Sequence, residues 1–294
     1  MVTVLAPAKL NLGLRVLDRR PDGYHEIETV YLPLRLYDRL ELEPRPEPGI
    51  VLEVGLGSEV PTDATNLAVQ AAAEAARSLG GPAGLRIRLH KEIPVAAGLG
   101  GGSSDAAAVI LGLETLRGSH LSPADRHALA RKLGADVAFF LSPRPSIGRG
   151  IGDRLEPLSG LPEMWWVLVV FPFGLSTREI YEETSRELTL PQGGSRIAPL
   201  LGSSGVRESA PNDLEKVATR QHPEIGAVRR ALEQVGASVT GMSGSGPTVY
   251  GRFGSREAAE QVARMVGLPA GARTLVASSP GSDSESWGWG VAKG

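Results

Sequence analysis

The chain has 294 residues and a formal net charge of −2. This balance, without any run of lysine and arginine, argues against a nucleic-acid or anionic-membrane partner. The absence of cysteine excludes disulfides, thiolate nucleophiles and cysteine-bound zinc. No stretch approaches the roughly 18 apolar residues of a membrane span, and the N-terminus lacks the basic region and apolar core of a signal peptide. We therefore expect a soluble, cytoplasmic protein.

Short apolar runs predict strands through the first quarter of the chain. They cover residues 3–6, 12–17, 28–31, 38–43 and 50–54. An alanine-rich helix is predicted at 67–79, because its periodic pattern stops at two consecutive glycines. Residues 85–90 alternate apolar and charged side chains, which is typical of a half-buried strand. Further helices are expected from about residue 104 to 116 and from 123 to 133.

The second half of the chain mixes strands and helices without regular alternation. Strand patterns lie at residues 165–171, 237–240 and 248–253, and helical patterns at 176–186, 212–218, 224–235 and 256–266. This mixture indicates an α+β fold in two lobes rather than a doubly wound parallel sheet. We expect an N-terminal lobe at 1–155 and a C-terminal lobe at 156–277. Residues 278–294, rich in serine, glycine and tryptophan, are expected to form a disordered tail.

The strongest local signal is a glycine-rich segment between the predicted strand at 85–90 and the next helix. Glycines let the backbone approach a phosphate closely and permit turns that aim several N–H groups at one point. The following helix start adds free N–H groups and the positive end of the helix dipole. Ser103 and Ser104 add hydroxyl donors, and either is a candidate cap for that helix. The predicted phosphate-binding residues are Pro94, Val95, Ala96, Ala97, Gly98, Leu99, Gly100, Gly101, Gly102, Ser103 and Ser104.

Two familiar phosphate motifs do not fit this segment. The chain contains no G-x-x-x-x-G-K-[ST] sequence, and the glycines lack the dinucleotide-binding spacing with its downstream acidic residue. A flexible connector is the alternative for this segment taken alone. Three consecutive glycines directly before a helix are a poor choice for a connector, so phosphate binding is favoured.

The pattern P-x-x-x-G-L-G-x-x-S-S at residues 94–104 resembles the second motif of the GHMP kinases. Its form with an additional glycine is similar to the branch that phosphorylates a cytidine-diphosphate-linked methylerythritol. Residues 6–12, A-P-A-K-L-N-L, are similar to the first motif of that branch. Lys9 and Asn11 lie two positions apart and would share one face of a strand. Taken alone, such a pair is usually a solvated strand edge.

Residues 20–26, R-P-D-G-Y-H-E, resemble a segment peculiar to the same branch. The resemblance implies that Tyr24 stacks on a cytosine ring and that His25 reads its polar edge, roles that suit an aromatic face and a directional donor and acceptor. Without the resemblance, Asp-Gly signals only a surface turn. Residues 177–181, T-R-E-I-Y, resemble the segment that supplies a hydroxyl and a second aromatic ring to the substrate pocket. Thr177 and Tyr181 are assigned to that pocket, although an ordinary amphipathic helix explains them equally well.

Asp136 is the one carboxylate in an otherwise apolar stretch, so a partly buried position would need a partner such as Lys9. A helix-capping aspartate is the alternative. The family resembled uses this residue as its catalytic carboxylate.

Asn66 lies in a Thr-Asn-Leu segment similar to one near the family's adenosine pocket. Residues 240–248 resemble the third family motif, a glycine turn behind the phosphate loop. An ordinary hairpin turn would also explain this sequence. The candidate residues of the motif are Gly241, Ser243, Gly244, Ser245 and Gly246.

The resemblance implies an ATP-dependent kinase with its cleft between the lobes and Mg²⁺ carried by the nucleotide. Asp136 would accept the proton of a substrate hydroxyl, while Lys9 would orient Asp136 and offset charge on the transferring phosphoryl group. The implied partner is a small molecule, and the acceptor is the 2-hydroxyl of the cytidine-diphosphate-linked methylerythritol. No metal-binding side chain is assigned. The rival interpretations are a kinase of homoserine or a mevalonate-type alcohol, and a non-catalytic ATP or metabolite sensor on the same fold.

Overall fold

The computed structural model describes residues 1–55, 60–80, 84–187, 201–202, 205–206, 211–282 and 290–293. Its strands are β1 (Val2–Arg19), β2 (His25–Arg45), β3 (Gly49–Val54), β4 (Gly84–His90), β5 (Ser146–Gly150), β6 (Arg154–Pro157), β7 (Met164–Val170), β8 (Leu201–Gly202), β9 (Gly205–Val206), β10 (Val239–Met242), β11 (Val249–Phe253), β12 (Arg273–Ser279) and β13 (Val291–Lys293). Its helices are α1 (Leu67–Leu79), α2 (Gly101–Arg117), α3 (Pro123–Leu133), α4 (Val137–Phe140), α5 (Thr177–Glu187), α6 (Glu215–Gln221), α7 (Pro223–Gln234) and α8 (Arg256–Met265). None of these helices is long and apolar enough to cross a membrane.

The first sheet has the strand order β13–β1–β2–β4–β3, and β5 and β6 are attached to it through β2. From Arg39 to Glu43 in β2 and from Leu85 to Leu89 in β4, buried aliphatic residues alternate with charged residues that are partly or fully exposed, so one face of this part of the sheet is apolar. Helices α1 and α2 cover that face and bury it. Gly112 of α2 lies so close to the sheet that an added Cβ would stand 2.9 Å from Leu42. The absence of a side chain at this position brings α2, and with it the glycine-rich loop, directly against β1 and β2.

The second sheet is antiparallel, in the order β10–β11–β7–β12. Its central strand β7 is almost entirely buried, which fits its uninterrupted apolar sequence. Trp166 of β7 is fully buried, packs edge-on against Tyr250 and donates through Nε1 to Ser279 Oγ at 3.1 Å. Helices α7 and α8 pack against this sheet. The predicted α+β class is thus confirmed, with one sheet formed mainly by each half of the chain.

Helices α1 and α3 have the predicted bounds, whereas the early strands are longer than predicted. The runs at 3–6 and 12–17 belong to the single strand β1, and those at 28–31 and 38–43 belong to β2. Breaks of register between Pro7 and Ala8 and between Asn11 and Leu14 mark β-bulges in their pairing. A bulge shifts the alternation of side chains without ending the strand, so a pattern with period two looks interrupted there.

The C-terminal segment differs from the disordered tail predicted at 278–294. Ser278 and Ser279 complete β12 and are buried, and β13 pairs antiparallel with β1. The edge of β1 supplies backbone partners that the composition of the segment does not reveal. Residues 283–289 and 294 of the predicted tail lie outside the described residues. The lobe boundary near 155 stays a prediction; β6 still pairs within the first sheet, and β7 begins the second.

Candidate active site

The glycine-rich loop follows β4 and leads directly into α2. Ala96, Gly98 and Gly100 have φ angles of 52°, 76° and 75°, in the left-handed region that glycine adopts most easily. Helix α2 begins at Gly101, three residues earlier than predicted, and its N-cap Gly100 makes no side-chain cap hydrogen bond. The prediction that Ser103 or Ser104 caps this helix is therefore wrong, because both residues lie inside its first turn. The first intrahelical bond runs from the N–H of Ser104 to the Gly100 carbonyl at 2.9 Å. The N–H groups before Ser104 precede this first bond and, with the helix dipole, form an anion site.

The third glycine motif lies against this loop. A Cβ at Gly98 would collide with the carbonyl oxygen of Ser243, so the two backbones approach each other as closely as glycine allows. Ser243 Oγ donates to the Gly98 carbonyl at 2.9 Å, and the N–H of Thr248 donates to the Ala97 carbonyl at 3.3 Å. The N–H of Asn11 donates to Ser243 Oγ at 3.2 Å. These bonds connect the loop, the third motif and β1 into one wall.

Lys9 and Asn11 lie on β1 beneath the loop, and both are almost completely buried. Lys9 Nζ donates to Asn11 Oδ1 and stands 3.6 Å from Asp136 Oδ2. Asn11 Nδ2 in turn donates to Thr29 Oγ1 at 2.9 Å, which fixes the amide orientation. Burial lowers the pKa of Lys9, while Asp136 acts in the opposite direction and favours the charged ammonium. Lys9 is thus the buried member of an ion pair with the partly exposed Asp136, and the solvated strand edge that was the alternative does not occur.

Asp136 is the residue before α4, but its carboxylate makes no cap hydrogen bond. It faces Lys9 through Oδ2 and accepts a hydrogen bond from the Tyr31 hydroxyl through Oδ1, at 2.9 Å. About 30% of its side chain stays exposed, so the carboxylate is held on both oxygens and is still open to a ligand. The helix-capping alternative is excluded by this orientation.

Tyr24, His25 and Tyr181 gather at one end of the site. Tyr24 is 51% exposed and offers a free ring face, whereas the ring of His25 stacks on Tyr181 with 5.2 Å between centroids. His25 Nε2 is buried without a hydrogen-bond partner among the residues described. Burial, and then the positive charge of Arg19, lower the pKa of His25, so its imidazole is neutral at pH 7. Tyr181 thus packs on His25, and its assignment to the substrate pocket stays a prediction.

One cavity of about 1000 Å³ joins these parts, which is large enough for two ligands of moderate size. It is lined by Lys9, Asn11, Asn66, Asp136, the loop from Pro94 to Ser103 apart from Leu99, the three aromatic residues above, Thr177, Gly244, Ser245 and Gly246. Four predicted residues do not line it: Leu99, Ser104, Gly241 and Ser243. Leu99 belongs to the hydrophobic core, and Ser243 acts behind the loop. Asn66 also caps α1, accepting from the N–H of Ala68 at 2.8 Å.

A buried charge cluster beneath the loop was not predicted. Lys91 Nζ contacts Asp38 Oδ2 and, at 2.9 Å, Asp105 Oδ2. Asp38 also accepts the N–H groups of Glu92 and Ile93 at 2.7 and 2.9 Å, which ties the start of the loop to β2. Burial, reinforced by Asp38 and opposed by Lys91, raises the pKa of Asp105 to about 8. In sequence, the three charges are 14 to 67 positions apart and form no motif.

The residues that line the cavity without having been predicted include Tyr31, Arg19 and Arg178. Tyr31 holds Asp136, as described above. Arg19 and Arg178 are exposed and make no ion pair with any residue in the described ranges. Arg178 lies within the T-R-E-I-Y segment, so the resemblance of that segment could have indicated it as a site residue. The sequence around Tyr31 indicates only a buried strand residue.

Comparison with known proteins agrees with this arrangement. Residues 66–144 match the N-terminal domain of the GHMP kinases, and residues 198–269 match their C-terminal domain. A protein of Pelotomaculum thermopropionicum named 4-diphosphocytidyl-2-C-methyl-D-erythritol kinase is 43% identical over 268 residues, covering 90% of this chain and 93% of that protein. A protein of the same name from Syntrophus aciditrophicus is 39% identical, covering 92% and 96%.

Solved structures show the same relationship. A crystal structure of 4-(cytidine 5'-diphospho)-2C-methyl-D-erythritol kinase superposes with a TM-score of 0.79 at 37% identity, covering 95% of this chain and 99% of the other. Homoserine kinase from Cytophaga hutchinsonii shares the fold, with a TM-score of 0.71 at 18% identity and coverage of 95% and 96%. The chain belongs to the GHMP kinases, and its relatives place it in the branch named 4-diphosphocytidyl-2-C-methyl-D-erythritol kinase. It is an ATP-dependent kinase, which confirms the family and enzyme class expected from its motifs.

The cluster around Lys91 predicts a specific dependence of stability on pH. The raised pKa of Asp105 means that, from about pH 4 to about pH 8, the folded protein holds a proton that the unfolded chain has released. Stability contributed by this site is therefore present at low pH and falls as the pH rises. The variant Asp105→Asn keeps an acceptor for Lys91 but cannot ionise. Its midpoint of thermal unfolding, minus that of the wild type, should grow from about pH 4 to about pH 8 and stay level above that range; parallel curves would contradict the assignment.

Proposed function

We propose that this chain transfers the γ-phosphate of ATP to the 2-hydroxyl of 4-diphosphocytidyl-2-C-methyl-D-erythritol, a step of isoprenoid precursor biosynthesis in the cytoplasm. The observation that carries the proposal is that one cavity contains an anion-binding loop, a lysine–aspartate pair and an aromatic pocket with an unpartnered imidazole nitrogen. The first two suit phosphoryl transfer, and the third suits a nucleobase. The names of the relatives support the same acceptor.

The loop would hold the triphosphate of ATP. Its backbone N–H groups and the start of α2 concentrate positive potential at one place, which favours the polyanion. Asn66 lines the same cavity at the start of α1 and is proposed as a contact on the nucleoside side. Mg²⁺ would enter with ATP, and phosphate and water oxygens would supply most of its ligands.

The chemical step would take place between the loop and Asp136. The oxygen of the substrate hydroxyl forms a bond to the γ-phosphorus, while the bond from that phosphorus to the β,γ-bridging oxygen breaks and ADP leaves. The hydroxyl proton passes to Asp136. Lys9, held close to the carboxylate and beneath the loop, offsets negative charge on the transferring group. Asn11 would fix the position of the Lys9 ammonium and contact the acceptor.

The cytidine end of the substrate would occupy the aromatic pocket. Tyr24 offers a ring face for stacking, and the neutral imidazole of His25 offers its unpartnered Nε2 to the polar edge of the base. Tyr181 supports His25 from behind. Thr177, whose hydroxyl lies 2.9 Å from Ser245 Oγ, lies between this pocket and the third glycine motif.

The diphosphate linker would lie near Arg19 and Arg178. Both guanidinium groups line the cavity and are free of ion pairs within the described structure. By contrast, Arg20 is already bound to Asp22 and Glu26. Two unpaired guanidinium groups favour an acceptor that carries phosphate, because guanidinium matches phosphate geometry and charge.

An assay of ADP release with a panel of acceptors tests the proposal. The panel contains the cytidine-diphosphate-linked methylerythritol, homoserine and mevalonate. Turnover with the first compound at least about a hundredfold above the others is expected. A preference for homoserine or mevalonate would favour the rival alcohols, and ATP binding without turnover on any acceptor would favour a sensor.

The role of Asp136 predicts a separation of binding from chemistry. Asp136→Asn keeps the size of the side chain but removes a proton acceptor, so kcat should fall by about two to four orders of magnitude while the Kd for ATP changes little. Steady-state kinetics and calorimetric titration of ATP measure the two effects. Turnover close to that of the wild type would contradict the assignment.

The role of Tyr24 predicts a selective loss of substrate affinity. Tyr24→Ala removes the ring face, so KM for the cytidine substrate should rise by about tenfold or more, as expected for the loss of one base-stacking contact. Because the loop is untouched, KM for ATP should stay within about twofold of the wild type. Equal effects on both substrates would argue against stacking.

If Arg19 and Arg178 bind the diphosphate, replacing them should weaken binding only of ligands that carry the diphosphate. Calorimetry with CDP and with cytidine isolates this group, because the two ligands share the base and ribose. In Arg178→Gln, affinity for CDP should fall by about tenfold while affinity for cytidine is preserved. The double variant that also carries Arg19→Gln should lose more affinity for CDP. Arg264→Gln, an exposed arginine of α8 outside the cavity, is the matched control. An equal loss for cytidine would show that the arginines do not bind the phosphates.

A further inference from the structure

The side chain of Tyr31 connects the buried core to the carboxylate of Asp136. Tyr31 lies on β2 and is 1% exposed, and its hydroxyl donates to Asp136 Oδ1 at 2.9 Å. Lys9 stands on the other carboxylate oxygen, at 3.6 Å from Oδ2. The two contacts fall on different oxygens, so together they fix both the position and the rotation of the carboxylate.

The fold is built to accept this tyrosine. Its ring stacks on Phe139 with 4.8 Å between centroids, one turn of chain beyond Asp136 itself. On the other side, a Cβ at Gly148 would stand 2.5 Å from the ring, and a Cβ at Gly152 would collide with the hydroxyl oxygen. Gly152 also has a φ of 103°, a conformation that other residues rarely adopt. Two glycines thus leave the space through which the hydroxyl reaches Asp136.

We propose that Tyr31 is a positioning residue for the phosphoryl transfer, holding Asp136 in the orientation that faces the substrate hydroxyl. The inference rests on the proposed function in one respect, that Asp136 accepts the proton. A buried hydroxyl loses its hydrogen bonds to water, and here one bond to a partly exposed carboxylate replaces them. That bond offsets the loss only while the carboxylate keeps its position. Lys9 alone leaves Asp136 free to rotate about its side-chain bond, since it contacts a single oxygen at 3.6 Å.

Tyr31→Phe tests this role, because it removes the hydroxyl and keeps the ring that packs on Phe139. We expect kcat to fall by about tenfold or more, with KM for ATP and for the acceptor within about twofold of the wild type. Tyr37→Phe, on the same strand but outside the cavity, should leave kcat unchanged. An unchanged kcat in Tyr31→Phe, or KM values that rise in parallel with the loss, would overturn the proposal.

A second variant separates positioning from a general loss of packing. Gly152→Ala should displace the hydroxyl and lower kcat in the wild-type background, yet add little in the Tyr31→Phe background, because the colliding atom is then absent. An equal loss in both backgrounds would show that Gly152 acts independently of Tyr31. This comparison requires only soluble variants, whose folding is checked by circular dichroism.

A readout without substrate keeps this inference separate from the proposed function. The ζ-¹³C resonance of Tyr31, identified by its absence in Tyr31→Phe, should shift in Asp136→Ala by more than the resonance of Tyr37. No shift would mean that the hydrogen bond is absent in solution. If the cytidine substrate is not phosphorylated, the proposed function fails, and the kcat comparison is made on whichever acceptor of the panel is used.

Discussion

The site depends on one buried ammonium group, that of Lys9. A charge removed from water is costly unless it is paired, and Lys9 has a single carboxylate within reach, Asp136 at 3.6 Å, among the residues described. Lys9 also lies beneath the glycine loop, where a Cβ at Gly100 would stand 3.1 Å from its side chain. The same group therefore holds the carboxylate near the place where the loop concentrates positive potential. Phosphoryl transfer needs this juxtaposition more than it needs any strongly reactive side chain.

Several distant parts of the chain maintain that juxtaposition. The N–H of Lys9 donates to the Leu99 carbonyl at 3.0 Å and ties β1 to the loop, and the third glycine motif holds the loop from behind through Ser243. The cluster of Asp38, Lys91 and Asp105 holds the start of the loop against β2. These contacts are buried or partly buried, so a small displacement of one element is resisted by several others. The open end of the cavity, with Tyr24, Arg19 and Arg178, is by comparison exposed to solvent.

Much of the fold and the centre of the site follow from the sequence, and the exceptions have physical causes. The glycines at 98–102, Lys9 and Asp136 carry chemistry that local pattern and family resemblance both reveal. The long strands β1 and β2 were divided in prediction because bulges shift their alternation. The start of α2 was placed too late, since glycine has a low helix propensity and the serines at 103 and 104 resemble caps.

Contacts between distant residues explain what the sequence could not reveal. Tyr31 reads as one apolar residue in a strand, and only the packing of Phe139, Gly148 and Gly152 around it directs its hydroxyl to Asp136. Likewise, Asp38 and Asp105 read as isolated charges until the fold brings Lys91 between them. Strand β13 forms because β1 has a free edge, which no property of the tail indicates.

The convergence of the loop and Asp136 on one substrate is tested most directly by a crystal structure of the protein with a non-hydrolysable ATP analogue and 4-diphosphocytidyl-2-C-methyl-D-erythritol bound together. We expect the triphosphate to lie on the N–H groups of the loop at 98–103, and the 2-hydroxyl to lie within hydrogen-bond distance of Asp136 and in line with the γ-phosphorus. A ternary complex in which that hydroxyl points away from Asp136, or in which the triphosphate lies outside the loop, would contradict it.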